Sequence, residues 1–568
     1  MMPIGGCTRV TQSPLSSKIR GLFQWRDSSA REWTAIGTET GISILFGVMT
    51  DVTPAGFVSM QGIAGGGFGT LEYGQDDAPT ADTPGTVLKF SSVTISQASP
   101  AIVTWNNHGL LGNSAVTFTT TGTLPAPLAI NTLYYVTGVT TNTFQIQPAE
   151  ENVPINTTTA GSGTHTANAV LVNYGQDTYG RQRNYNPPIF RKPDHWSFAT
   201  FGQDLMSVCS SDGRLMHLAA NANATPVIDI PSNAPTGNFA VAVTAERAVM
   251  LMGAGGNPRR VAWSDFENYN GWTFNTTTGQ AGYIDLEATS PIITGVRVKE
   301  GVLVLTQHEA FLLRYVGAPY FYGAEKLGTT TFSAPNAIAS GGSSTVWFGQ
   351  SGFWRYDGGA IRQIQCPMFG DIKNNFDPTY GNYRAHMHES GVFPEFWFEY
   401  PDFHSSDGEC NNYVIWNYAE NIWIRGSRAR TAAVGAITAA YPIAAAKDNH
   451  VYQQEDGWLE AGESRIGQVW AETSVLDFGQ GDNYVDINQA LVSTDPDSVQ
   501  TNYQIKLLSR YAPTQTETVF GPYTPRIDGY TDTRATGRDL RLRVEATSDN
   551  YWSIGQIRLD IVSNGGRR

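Results

Sequence analysis

The chain has 568 residues, 41% of them hydrophobic and 15% charged, with 51 acidic against 37 basic side chains and a formal net charge of −14 at pH 7. That length exceeds one small domain and suggests three or four folding units, while 14 Trp, 25 Tyr and 26 Phe supply enough apolar surface to exclude a disordered polyelectrolyte. An acidic chain cannot supply the net counterion release that drives tight nucleic-acid binding, which argues against a conventional DNA binder.

The first residues, Met1 to Arg9, lack a charged segment followed by an apolar one, and no uncharged run approaches the ~18 apolar residues of a membrane span. The expectation is a protein made and kept in the cytoplasm, or leaving it only by cell lysis, with no membrane span. Cys7, Cys209, Cys366 and Cys410 are widely spaced, which predicts reduced core thiols rather than a disulfide framework or a zinc ribbon.

Gly 59 and Pro 29 punctuate short runs of Val, Ile, Thr, Tyr, Phe and Trp, the pattern of an all-β chain with few, short helices. Residues 1–87 are expected to form an N-terminal β segment joining a propeller platform. Residues 88–170 are Thr-rich and alternate in Ala115-Val-Thr-Phe-Thr119, Leu133-Tyr-Tyr-Val136 and Thr143-Phe-Gln-Ile146. The tetrapeptide Tyr-Gly-Gln-Asp brackets this block at 73–76 and 174–177. Together these features predict a small inserted β module whose ends lie close together.

Residues 171–471 carry a recurring hairpin. Asp204–Ser210 turns at Ser211-Asp212-Gly213 into Arg214–Leu218; Gly301–Leu305 turns into Phe311–Val316; Thr345–Phe348 turns at Ser351-Gly352 into Phe353–Tyr356; Asn412–Trp416 turns into Ile422–Ile424. Turn centres at 213, 255, 309, 352, 391, 420 and 449 are spaced like the blades of a β-propeller, each a small sheet that must bury its faces against its neighbours; a pair of β-sandwiches with irregular meanders is the alternative. Residues 472–568, with Leu540-Arg-Leu-Arg-Val544 and Ile554–Val562, are expected to form a separate C-terminal β domain.

The chemistry-bearing motifs are sparse. His386-Met-His388-Glu389, with His404 and Cys410, is the best metal-like group, since alternate strand residues share a face, but the H-E-x-x-H spacing is absent and no metal or other cofactor is expected. Asp265, Glu267, Asp357 and Asp456 could pair as glycosidase acid and nucleophile. All lie beside turn residues where Asp commonly bonds local backbone, and Ser211-Asp212-Gly213 and Asp456-Gly457-Trp458 are only fragments of the sialidase Asp box. No catalytic residues are assigned, and the chain is expected not to be an enzyme.

The basic residues comprise 8 Lys and 29 Arg. Arg suits interfaces, because its planar fork pairs with carboxylates at modest desolvation cost. Arg425, Arg428 and Arg430 are the candidate inter-subunit residues, following an aromatic strand at what would be a blade edge. Arg259 and Arg260 are candidate channel or interface residues. Solvated or intramolecular pairing is the alternative for all five.

The succession Val261-Ala-Trp-Ser-Asp265 with Trp272, Gly301–Leu305, Tyr315-Val-Gly317, Val346-Trp-Phe348, Gly352-Phe353 with Tyr356-Asp-Gly358, and Cys366-Pro367 resembles a widespread bacteriophage tail family. So does the continuation through Glu395–Pro401, Tyr413–Tyr418, Ile422-Trp423, Arg430-Thr-Ala432, Pro442, Glu455-Asp-Gly457 and Trp552–Asp560. The family is that of the tail-tube nozzle, or packaged-DNA-stabilisation, proteins of short-tailed phages, and the resemblance runs in order over about residues 200–460. It implies a propeller-containing structural subunit of the virion tail, assembled as a homo-hexamer. That ring would extend the channel below the portal and adaptor proteins, hold tail fibre or needle proteins, close on packaged double-stranded DNA without reading its sequence, and open for ejection. The resemblance transfers no catalytic residue. A receptor-binding tail fibre or spike, and a glycan depolymerase, are the alternatives. The block at 88–170 departs from the family and is similar to small β modules of other phage structural proteins.

Overall fold

The computed structural model describes residues 2–60, 87–106, 108, 110, 114–148, 153–170, 195–274, 279–476, 484–494, 499, 502–512 and 514–564. Among these residues, seven four-stranded antiparallel sheets follow one another along the chain as the blades of a β-propeller. Blade 1 spans Ile19–Arg26 to Val48–Asp51, blade 2 Trp196–Phe201 to Ile228–Asp229, blade 3 Ala240–Val243 to Gly282–Asp285, and blade 4 Ile292–Val298 to Phe321–Thr329. Blade 5 spans Ile338–Gly341 to Ile361–Ile364, and blade 6 His386–Glu389 to Ile422–Ser427. Blade 7 takes three strands from Ala432–Val434, Ile443–Ala445 and Val451–Gln454, and its outermost strand, Cys7–Arg9, from the N-terminus.

The propeller therefore starts at the N-terminus rather than at residue 171, because residues 7–51 supply one whole blade and the strand that closes the ring. The four hairpins expected from sequence all form. They do not all occupy the same place in a blade. The first three join the second and third strands, whereas Asn412–Asn417 and Ile422–Ser427 are the third and fourth strands of blade 6. Turn centres 391 and 420 thus belong to a single blade, and the turn equivalent to 352 is the long loop 401–411. Strand alternation looks alike in every hairpin, so spacing alone misassigns the phase.

Propeller blades cohere through the apolar faces they press together, at roughly 1.5–3 kcal/mol for each large side chain buried. Trp25, Trp33 and Ile44 of blade 1 pack on Trp196, Leu205 and Met216 of blade 2, where Gly37 admits the Trp196 ring; a Cβ there would lie 2.5 Å from it. Comparable clusters join blades 2 and 3, 3 and 4, 4 and 5, 5 and 6, and 7 and 1. Among the described residues the α-helices are two seven-residue turns between blades 5 and 6, Phe369–Asn375 and Pro378–Arg384, the second capped by the Asp377 carboxylate accepting from Thr379 N–H.

Strands within 87–170 close into a six-stranded barrel around Val103, Val116, Phe118, Val136, Phe144 and Ile146. Its first strand, Val87–Ile95, pairs antiparallel with its last, His165–Val170, and Val87 stands opposite Val170, so entry and exit are side by side. Both Tyr-Gly-Gln-Asp copies lie outside the described residues. Beyond the propeller, a four-stranded and a three-stranded sheet enclose Ile487, Ile505, Leu507, Leu542, Val544 and Trp552 as a C-terminal sandwich.

Candidate functional site: the polar seam between blades 6 and 7

Among the described residues, six of the seven seams are filled by apolar clusters, and the seam between blades 6 and 7 is filled by charged and polar side chains instead. A cleft there is lined by His388, Trp397, Glu399, Arg428, Gln454 and Glu455, among others. The inner strand of blade 6, His386–Glu389, alternates so that His386 and His388 share a face. His386 is set opposite Glu399, and His388 opposite Trp397, on the next strand.

His386 Nε2 forms an ion pair with Glu399 Oε2, and its Nδ1 stands 3.1 Å from the Arg384 carbonyl, so both ring nitrogens face acceptors. Burial opposes charge on this imidazole, but the Glu399 carboxylate raises its pKa well above the ordinary value. Burial would raise Glu399 too, yet the His386 charge and hydrogen bond hold its pKa down at about 2. His388 is different. It stacks on Trp397 with ring centroids 5.9 Å apart, its Nδ1 is buried without a hydrogen-bond partner, and burial, with the neighbouring His386 and Arg428 charges, lowers it to about 4.

Arg428 places its Nη2 in the same seam, buried and without a hydrogen-bond partner; burial and the nearby Arg430 charge lower its pKa. Arg430 is 5% exposed and donates to Glu460 at 2.6 Å and Gln454 at 3.3 Å. These two are therefore residues of the chain's own interior, not of a rim. Arg425 alone of the three is well exposed, and it pairs with Asp371 ahead of blade 6. Arg428 and Arg430 both lie on the crossing between the last strand of blade 6, which ends at Ser427, and the first strand of blade 7, which begins at Ala432, and that crossing runs along the seam rather than along a free edge.

Arg260 grips Asp285 of its own blade through two bonds of 2.7 and 2.9 Å and lies 4.2 Å over the Tyr283 ring. Arg259 is exposed and donates to the Ala288 carbonyl at 3.2 Å. The candidate carboxylates also serve local structure. Asp265 accepts from the Gln280 and Ala281 amides at 2.6 and 2.8 Å, Glu267 pairs with Arg247 and Asp357 with Arg355. Asp212 accepts from Val58 N–H and holds Arg214, in a turn where Gly213 adopts φ 72. Asp456 lies in the loop just after blade 7, where its N–H donates to the Gly6 carbonyl.

Of the metal-like residues, Cys410 Sγ lies 3.8 Å from His386 Nδ1, whereas His404 is 81% exposed and sits beside Asp402. No group of three or more His, Cys, Asp or Glu among the described residues has the arrangement of a metal site. Cys7, Cys209, Cys366 and Cys410 are thiols rather than disulfides, and three of them are buried. Sequence inspection overlooked Glu399 and Glu455. A lone carboxylate inside the aromatic run Phe396-Trp-Phe-Glu-Tyr400 was the available signal, since a charge in such a strand requires a buried partner.

No protein-family model matches the chain, and no curated protein does. Solved structures with a matching arrangement include a streptogramin B lyase, 11% identical over 46% of this chain and 93% of that one, with a TM-score of 0.26. A catalytically inactive virginiamycin B lyase from Staphylococcus aureus with quinupristin is 9% identical over 79% and 97%, TM-score 0.24. The Nup133 β-propeller domain of Vanderwaltozyma polyspora is 8% identical over 62% and 94%, TM-score 0.24. Likeness at this level carries no argument about function. No helix among the described residues is long and apolar enough to cross a membrane.

Proposed function

We propose that the chain is a non-catalytic structural subunit of a phage tail nozzle: a ring that extends the DNA channel, closes it after packaging and opens for ejection. The observation that carries this reading is the order of the sequence motifs shared with that family. Residues 261–265, 301–305, 346–358, 395–401, 413–423 and 430–432 succeed one another along blades 3 to 7 and supply much of their buried core, including Trp263, Val304, Trp347, Phe398 and Trp416. The resemblance thus concerns a run of consecutive blades rather than a short loop.

Charge agrees with the reading. Each copy contributes −14, and an acidic channel wall repels phosphate, which lets DNA slide without adhering. Such repulsion cannot retain pressurised DNA, so closure in this reading is steric. The partners follow from the role: copies of this chain, the portal-adaptor proteins above, and fibre or needle proteins below. The deciding experiment is particle mass and class-average symmetry of the purified protein and of tails that contain it. Six-fold rings are expected. Three-fold particles would favour a receptor-binding spike, and release of reducing sugar from host capsule would replace the structural role with a depolymerase.

A further inference from the structure

The N-terminal residues are gripped from two sides. On one side Cys7–Arg9 pairs with blade 7, Cys7 opposite Gln454 and Arg9 opposite Tyr452. On the other, the chain leaving blade 7 folds back over the same residues. Gly6 N–H donates to the Gly457 carbonyl at 2.7 Å, Cys7 N–H to the Leu459 carbonyl at 2.8 Å, and Ala461 N–H to the Cys7 carbonyl at 2.9 Å. Side chains reinforce this grip: Glu455 Oε2 accepts from Gly5 N–H at 2.7 Å, and Arg465 donates to the Ile4 carbonyl at 2.9 Å. Neither glycine has room for a side chain. A Cβ on Gly5 would lie 2.6 Å from Glu455 Cα, and one on Gly6 would overlap the Leu459 backbone.

The same linker docks the C-terminal sandwich. Arg465 N–H donates to the Asp549 carboxylate at 2.8 Å, the Trp458 and Tyr551 rings are 5.7 Å apart, and Ala546 N–H donates to the Val469 carbonyl at 2.9 Å. Glu455 belongs both to this clasp and to the polar cleft between blades 6 and 7. Blade 7 is therefore bounded by the one polar seam on its blade 6 side and completed by a three-residue strand at its outer edge. Blade 7 keeps its apolar cluster against blade 1, but residues 4–9 contribute no side chain to it and pair over only three residues; few buried apolar contacts and a short ladder put such a segment at the low end of local stability, from which moving parts are drawn.

We infer that residues 4–9 act as a releasable strap: a single element that fastens both the outer edge of blade 7 and the linker holding the C-terminal sandwich, so that its release frees the two together. The inference is independent of any role in a tail, because it rests on which segments the strap touches.

Hydrogen exchange on the full-length chain tests it, comparing Gly6→Val with the parent and using the milder Arg465→Ala and Glu455→Gln if Gly6→Val does not fold. The expected result is exchange at least ten-fold faster both in 451–461 and in 465–470 with 546–552, while blades 2 to 5 keep their protection. Faster exchange confined to residues 4–9, faster exchange in blade 7 with the sandwich contacts unchanged, an equal rise in every blade, or no change would each overturn it.

Discussion

Arg20 on the inner strand of blade 1 and Glu409 in the long loop of blade 6 form a two-pronged buried ion pair, each guanidinium nitrogen 2.8 Å from a carboxylate oxygen. Blade 7 stands between these two blades in the ring, so the loop 401–411 reaches past it to fasten them. Glu39 takes a second bond from Arg20 at 2.6 Å and Arg384 approaches Glu409 at 3.2 Å. Lys447 of blade 7 joins through Asp407 at 2.9 Å.

Removing one member of such a pair leaves the other charge buried and unmatched. Glu409→Ala is expected to destabilise the propeller by about 3–5 kcal/mol, more than Arg20→Met, since it takes the carboxylate from two cations at once and leaves Arg20 with Glu39 alone and Arg384 without this partner, whereas in the latter Glu409 keeps Arg384. Denaturant midpoints of the two variants check the ranking, and equal or negligible shifts would contradict the assignment.

The polar seam predicts how stability depends on pH. His388 resists protonation in the fold down to about 4, against an ordinary 6.5, so the unfolded chain binds more protons between those values and stability falls as pH drops through that window. Glu399, held at about 2 against an ordinary 4.5, adds stability above 4.5 that is lost progressively on further acidification. His386 is raised, so its contribution is full below its ordinary 6.5 and disappears as pH rises through the higher folded value. Melting midpoints of His388→Gln should lose the slope between pH 6.5 and 4 and keep the decline below it; an unchanged profile would mean His388 is not the group responsible.

Exposed Arg425 and buried Arg430 should separate. Arg425→Glu disturbs an exposed pair worth about 0–1 kcal/mol, so it should fold normally and fail in tail incorporation if this edge meets a neighbouring subunit. Arg430→Glu sets a second carboxylate against Glu460 in the interior and should lower soluble yield regardless of assembly. Circular dichroism and a tail incorporation assay on each variant distinguish the two outcomes, and normal incorporation of Arg425→Glu would remove this edge from the proposed interface.

Deleting residues 88–170 with a short Gly-Ser bridge should leave a soluble protein that still melts cooperatively, because Val87 and Val170 already lie opposite each other and the barrel holds its own apolar core. Aggregation of the deletion under conditions where the parent is soluble would show that the barrel completes the propeller core instead.

Alternation of side chains and the chemistry of turns were enough to read an all-β chain, a propeller, and hairpins such as Asp204–Cys209 with Leu215–Leu218, since a strand's two faces and a tight turn are set by neighbours a few residues apart. The pattern carries no label for which hairpin of a blade it marks, so the turns at 391 and 420 read alike as blade turns although both belong to blade 6. Nor does it reveal that Cys7–Arg9 joins Val451–Gln454, that Arg20 finds Glu409 across 389 positions, or that Arg428 and Arg430 turn inward. Those outcomes depend on where the ring closes and on which charges it brings face to face. Burial and pairing of a charge are decided by groups remote in the chain, so only the tertiary structure could assign the seam between blades 6 and 7 its polar character.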